Sequence, residues 1–123
     1  MKSISVNLMV RFLLEILALI TFGMWGWRLF SGVVGLAFSI MLPLVMAVIW
    51  GVFAVPNDPS RSGKAPIVVS GLVRLVIELA LFALSVLLLF DMDYTNFGFI
   101  YGLTIIAHYI ISYNRVKWLL KQK

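Results

Sequence analysis

The chain contains no cysteine, a single histidine and few charges, which make up 12% of its 123 residues. The absence of cysteine excludes disulfides, thiolate metal sites and cysteine nucleophiles. The low charge excludes an ordinary soluble domain, in which about a quarter of the residues are charged. It also excludes a disordered chain, which is polar and rich in charge. A hydrophobic content of 63% and a mean hydropathy of +1.07 indicate an integral membrane protein instead.

Four apolar segments are long enough for the ~20 helical residues that cross a bilayer. They cover about residues 4–27, 31–55, 67–90 and 94–118, and none shows the alternation of a barrel strand. A stretch rich in proline, glycine and serine at 56–66 is too polar for the bilayer interior. We therefore predict an all-α fold, with residues 1–123 forming a single transmembrane domain. Its architecture is expected to be a polytopic four-helix bundle of two antiparallel hairpins.

The distribution of basic residues predicts the orientation of the bundle. Four spans place both termini and the 56–66 connector on one side, which carries most of the lysine and arginine, whereas the other side has only Arg28. The positive-inside rule assigns the basic side to the cytoplasm of a cell membrane. The basic C-terminal residues are expected to contact anionic membrane lipids. Because basic residues lie at the ends of apolar runs, no nucleic-acid partner is expected.

The two halves of the chain share a charge pattern. Arg11 and Glu15 in the first span recur as Arg74 and Glu78 in the third, 63 residues later. Both spans start on the same side, so the pattern predicts a parallel internal repeat, with the hairpins related by a pseudo-twofold axis along the membrane normal. The alternative is chance recurrence of a four-residue spacing.

Both glutamates are predicted to lie near the middle of the bilayer. Glu15 and Glu78 each follow the start of their span by eleven residues, about 16 Å at 1.5 Å per residue. A charge at that depth costs on the order of 3 kcal/mol, so we expect these side chains to face the bundle and find partners. The predicted polar centre has six members: Arg11, Glu15, Arg74, Glu78, His108 and Asn114.

Two main interpretations of this centre remain open, beside a role in lipid or protein recognition. In the structural one, the arginines extend toward the headgroups and each neutralises the glutamate of its own helix, so that the pairs only fix packing. In the functional one, the protein is a small proton-coupled transporter or channel subunit that uses Glu15, Glu78 and His108.

Other classes of function find little support in the sequence. A membrane enzyme is not expected, because the spans supply too few catalytic groups, and no catalytic residue is nominated. One histidine without cysteine argues against a metal site, and no motif indicates a cofactor or a particular small-molecule substrate. Because four helices bury only a thin centre, we expect a homo-oligomer.

Several stretches together carry a family resemblance. They are Asn7 to Glu15, Gly23 to Trp27, Ala47 to Pro56, Arg74 to Leu79, and Asn114 late in the fourth span. With these residues the chain resembles the YrdB-like family of small bacterial integral membrane proteins. The resemblance covers nearly the whole chain and implies four helices in the bacterial cytoplasmic membrane. It implies no established biochemical activity.

Overall fold

The structure, a computed structural model, describes residues 2–58 and 65–122. The described residues form five helices and one pair of very short strands, which confirms the all-α prediction. In chain order the elements are α1 (Lys2–Leu29), α2 (Gly32–Val52), β1 (Phe53–Ala54), β2 (Ile67–Val68), α3 (Gly71–Asp91), α4 (Thr95–Ile111) and α5 (Tyr113–Leu120).

Three of the described helices, α1, α2 and α3, are long and apolar enough to cross a membrane. The apolar helix α4 has 17 residues, about 25 Å of helix against a hydrocarbon layer of ~30 Å. In α2 only Gly35 and Trp50 are buried. So large an exposed apolar surface is unusual on a soluble monomer, and the long helices are compatible with a membrane protein.

Glycines allow α1 and α2 to pack closely. A Cβ atom on Gly26 would lie 2.8 Å from the backbone of Phe38, and one on Gly23 would lie 3.1 Å from the carbonyl oxygen of Ser39. Small residues permit this close backbone approach in membrane helix pairs. The turn between the two helices uses Gly32 at φ 64°, a conformation that glycine adopts without strain.

The strand pair shortens two of the predicted spans. Strands β1 and β2 are parallel, with Phe53 opposite Ile67, so residues 53–55 and 67–70 are not helical. Helix α3 begins only after Ser70, whose side chain accepts a hydrogen bond of 3.2 Å from the backbone N–H of Val73. Such a cap satisfies a donor that the first helical turn leaves without a partner.

The fourth predicted span, 94–118, is divided at Ser112 into α4 and α5. The backbone N–H of Gly71 donates to the carbonyl of Gln122 at 3.0 Å, and Leu119 is fully buried. Helix α5 therefore packs against the start of α3, at the end of the molecule that also holds β1 and β2. We call this the connector end, and the opposite end, with the α1–α2 and α3–α4 turns, the hairpin end.

The core between the two ends is apolar and aromatic. The rings of Trp50 and Phe82 meet edge to face with centroids 4.8 Å apart. The hydroxyl of Tyr101 in α4 donates to the carbonyl of Leu14 in α1 at 2.6 Å. The first contact joins α2 to α3, and the second joins α4 to α1.

Candidate functional site

The carboxylate of Glu78 is the centre of a charged cluster at the connector end. Glu78 is 0% exposed, and its oxygens accept from Nε of Arg74 at 2.7 Å and from the hydroxyl of Tyr109 at 2.8 Å. Nη1 and Nη2 of Arg115 donate to the two oxygens at 3.0 and 2.8 Å. Nη2 of Arg11 forms a further ion pair at 2.7 Å. One carboxylate thus joins α1, α3, α4 and α5.

Arg74 connects this carboxylate to the end of α2. Its Nη1 donates to the backbone carbonyls of Trp50 and Phe53, the latter at 2.7 Å. The last carbonyls of a helix have no partner within the helix and carry partial negative charge. The guanidinium therefore caps α2 while it neutralises Glu78.

Arg115 connects the cluster to the connector. Its Nε and Nη2 donate to the two oxygens of Asp58 at 2.9 and 2.6 Å, a bidentate arrangement. Asp58 is 3% exposed. Bidentate pairs between arginine and a carboxylate are among the stronger polar contacts in proteins because geometry and charge act together.

Arg11 and Glu15 form the outer part of the cluster. Nε of Arg11 lies 3.1 Å from Oε2 of Glu15, whose side chain is 25% exposed. A groove of about 180 Å³ between α1 and α2 reaches Glu15; it is also lined by Leu19, Ala47, Trp50 and Gly51. Glu15 is thus a carboxylate within an apolar helix that is accessible from the surface of the bundle.

Among the described residues, the cluster is electrically balanced. We call it the Glu78 cluster; its members are Arg11, Glu15, Asp58, Arg74, Glu78, Tyr109 and Arg115. Three guanidinium groups face three carboxylates, and every ion pair between them is 3.1 Å or shorter. Buried charges are tolerated when they are paired and hydrogen-bonded in this way.

The structure brings five of the six predicted residues to this region and leaves one outside. Arg11, Glu15, Arg74 and Glu78 belong to the cluster. His108 is buried beside it, with its ring 5.7 Å from that of Tyr109. Asn114 is exposed, and the neighbouring Arg115 is the residue of α5 that enters the cluster.

The position of Glu78 along its helix differs from the prediction. Helix α3 starts at Gly71 rather than at residue 67, so Glu78 lies seven residues, about 10 Å, from the start of its helix. The predicted 16 Å assumed helix over residues that form β2. The centre therefore lies closer to the connector end than the middle of the span.

Sequence reasoning missed three members of the cluster. Asp58 looked like one polar residue among many in the connector, and Tyr109 like an ordinary residue of the fourth span. Arg115 looked like part of a basic tail. A bilayer-depth argument examines only charges inside apolar runs. Tyr109 is uncharged, Arg115 reaches Glu78 from α5 beyond the break at Ser112, and Asp58 joins the cluster through Arg115. Within residues 2–58 and 65–122, no group of three or more His, Cys, Asp or Glu side chains could hold a metal ion.

Comparisons with known proteins agree on one group of relatives. Residues 9–106 match the model of the family described as "Protein of unknown function (DUF2568)". The chain is 47% identical over 116 residues to the uncharacterized protein YrdB of Bacillus subtilis (strain 168), which covers 94% of both chains. No solved structure matches the chain significantly. The resemblance to the YrdB-like family is confirmed.

Proposed function

Because the chain belongs to the DUF2568 family of proteins of unknown function, we propose a function from its own geometry. The protein is a small, non-enzymatic, multi-pass component of the bacterial cytoplasmic membrane, with both termini in the cytoplasm. The Glu78 cluster is a structural clamp that fastens the connector and α5 to the helices at the connector end.

The inaccessibility of the Glu78 carboxylate supports this proposal. Its carboxylate is 0% exposed and surrounded by three guanidinium groups and one phenol hydroxyl. A catalytic or transport group must exchange protons or ligand, which requires access and a lone pair that is not already engaged. A charge-balanced network around an inaccessible carboxylate instead holds segments in one arrangement.

The test compares an unbalanced variant with a balanced one. Glu78→Gln leaves three arginines with two carboxylates, and removing one partner of a buried ion pair costs about 3–5 kcal/mol. The fourfold variant R11Q/E15Q/R74Q/E78Q removes two charges of each sign and keeps Arg115 with Asp58. We expect the fourfold variant to unfold at a higher temperature than Glu78→Gln in detergent.

The same pair of variants separates structure from activity. A clamp that acts only by charge balance predicts that the fourfold variant keeps the wild-type topology, measured by cysteine labelling, and complements a deletion strain. If the fourfold variant is at least as unstable as Glu78→Gln, charge balance is not what the cluster provides. If it is folded but fails to complement, the charged groups have a role beyond the clamp.

The groove at Glu15 favours a second candidate, a proton-coupled transporter or channel subunit. Glu15 is 25% exposed at its side chain and has one arginine partner, in contrast to Glu78. An accessible ionisable group in a membrane helix often marks an ion pathway. The ring of His108 lies 5.7 Å from that of Tyr109, so His108 adds a titratable side chain next to the Glu78 cluster.

Proteoliposomes loaded with a pH-sensitive dye test this candidate. Transport through Glu15 predicts a proton flux under an imposed pH gradient that Glu15→Gln abolishes. Asp93→Asn, which removes an exposed carboxylate from the α3–α4 turn, is the matched control and leaves such a flux unchanged. No flux above that of empty liposomes, or a flux that persists in Glu15→Gln, would discard the transporter.

A further inference from the structure

Arg28 is the one described arginine without an acidic partner. Arg11, Arg74 and Arg115 each contact a carboxylate within 4 Å, and Arg28 contacts none in the described part of the chain. Its Nη1 donates to the carbonyl of Met92 at 2.8 Å, and its guanidinium lies 5.3 Å from the ring centre of Tyr94. The rest of the group is exposed at the hairpin end.

Asp91 and Asp93 flank Met92, but neither forms an ion pair with Arg28. The carboxylate of Asp91 accepts a hydrogen bond of 2.9 Å from the indole N–H of Trp25. Arg28 is therefore oriented by a carbonyl and an aromatic ring but not neutralised. A guanidinium held in one place, with donors still open, is suited to an anion with several oxygens, such as a phosphate group.

Arg28 forms the rim of a cavity of about 410 Å³. Gly23 and Met24 form its floor on α1, Ser39 closes it from α2, and Trp27 and Tyr94 flank the arginine. Tryptophan and tyrosine are enriched where a membrane protein meets the lipid headgroups. The cavity thus has the composition of a headgroup site.

A second, apolar groove continues from this cavity toward the middle of the molecule. It has a volume of about 270 Å³ and shares Met24 and Tyr94 with the first cavity. From Met24 it follows α1 to Leu17, about 10 Å along the helix, and it is closed on the other side by Leu89 and Phe97. The two compartments adjoin at Met24 and Tyr94; one is lined by a cation and the other has no charged lining residue.

We propose that these two compartments bind one phospholipid of the leaflet at the hairpin end. The phosphate contacts the guanidinium of Arg28, and one acyl chain lies in the groove between α1 and α4. A soluble phosphate would contact Arg28 but leave the groove empty, whereas a phospholipid occupies both compartments. This site lies at the opposite end from the Glu78 cluster and does not depend on the role proposed for that cluster.

Photo-crosslinking of the full chain tests the site. The probe is phosphatidylglycerol with a diazirine on one acyl chain, in phosphatidylcholine vesicles, with the crosslinks mapped by mass spectrometry. We expect crosslinks concentrated on the groove residues of α1 and α4, several-fold above those on the lipid-facing side of α2. An even distribution over all exposed helices would overturn the proposal.

Two variants and two controls distinguish the contribution of the headgroup contact to lipid binding from the contribution of the groove. Arg28→Gln is expected to lower groove labelling about fivefold, since it removes charge-assisted contacts to the phosphate. Ile20→Trp, which fills the groove without touching Arg28, is expected to lower it as well. As controls, Lys117→Gln removes an exposed cation elsewhere and Ile40→Trp adds the same indole to an exposed position elsewhere; both leave the labelling unchanged.

A second probe, a diacylglycerol with the same diazirine chain, lacks the phosphate. Weak groove labelling by this probe supports the proposed role of Arg28. Labelling equal to that of phosphatidylglycerol would overturn it. Since Ile20→Trp leaves the contact between Arg28 and Met92 in place, unchanged labelling in this variant would also refute the site even if Arg28→Gln fails to fold.

Discussion

Arg11 in α1 and Glu78 in α3 are in direct contact, with Nη2 of the arginine 2.7 Å from Oε2 of the glutamate. Each also has a partner one turn away on its own helix, Glu15 for Arg11 and Arg74 for Glu78. The two pairs of the sequence pattern therefore form one continuous network between the helices.

Removal of the Arg115 guanidinium should destabilise the protein through two carboxylates at once. Arg115→Gln leaves both Asp58 and Glu78 buried with fewer donors, and we expect a loss of about 3 kcal/mol. A double-mutant cycle with Asp58→Asn should give a coupling energy of about 1–3 kcal/mol, measured by unfolding in detergent. Additive effects of the two substitutions would show that the contact does not stabilise the fold. Lys117→Gln, which removes an exposed cation from the same helix, is the control and should change little.

The hydroxyl of Tyr109 should contribute to stability through Glu78. Tyr109→Phe removes one hydrogen bond to a buried carboxylate while the ring remains, and we expect a cost of about 1–2 kcal/mol in the free energy of unfolding. Tyr113→Phe makes the same change at a residue that is 55% exposed and should have little effect. Equal melting temperatures of the two variants would contradict the hydrogen bond.

Substitution of Gly71 should release α5. A Cβ atom at this position would collide with the backbone of Leu119, which cannot move without displacing the helix that carries Arg115. Gly71→Ala should therefore increase tryptic cleavage after Lys117 in the folded protein. In Gly102→Ala the added Cβ lies 3.7 Å from the Val86 side chain, an ordinary contact distance. Trypsin should cleave this variant at the same rate as the wild type. Resistance of Gly71→Ala to trypsin would argue against tight packing of α5 on α3.

The proposed orientation can be tested by cysteine labelling of the purified chain after reaction in cells, since the chain contains no cysteine of its own that would compete. With both termini in the cytoplasm, Asn96→Cys at the hairpin end should react with an impermeant maleimide in intact cells. Lys121→Cys at the connector end should react only after the membrane is permeabilised. Both positions are exposed, so the reverse pattern of labelling would invert the assigned topology.

The apolar character of the chain and most of its helices could be predicted because they depend on local composition. Long apolar runs such as that of α2 indicate a membrane helix whatever their neighbours are. The positions of Arg11, Glu15, Arg74 and Glu78 could be proposed for the same reason, since charges in such runs are costly and must find partners. The parallel repeat and the four-helix bundle stay predictions.

The helix ends at the connector and the full composition of the cluster could not be predicted. Pairing of Phe53 with Ile67 and the break at Ser112 depend on contacts between distant segments, and no local pattern marks them. Arg115, rather than the suggested Asn114, reaches Glu78 because α5 turns across the start of α3.

The amino-acid sequence by itself determined that the chain is apolar, helical and provided with two acid–base pairs, since hydropathy and charge spacing are properties of single segments. Only the tertiary structure decided that Glu78 is enclosed and Glu15 accessible, and that Arg28 has no acidic partner in the described chain. Burial and ion pairing depend on which side chains the folded helices bring within a few ångströms of one another. Segments far apart in the chain determine that distance.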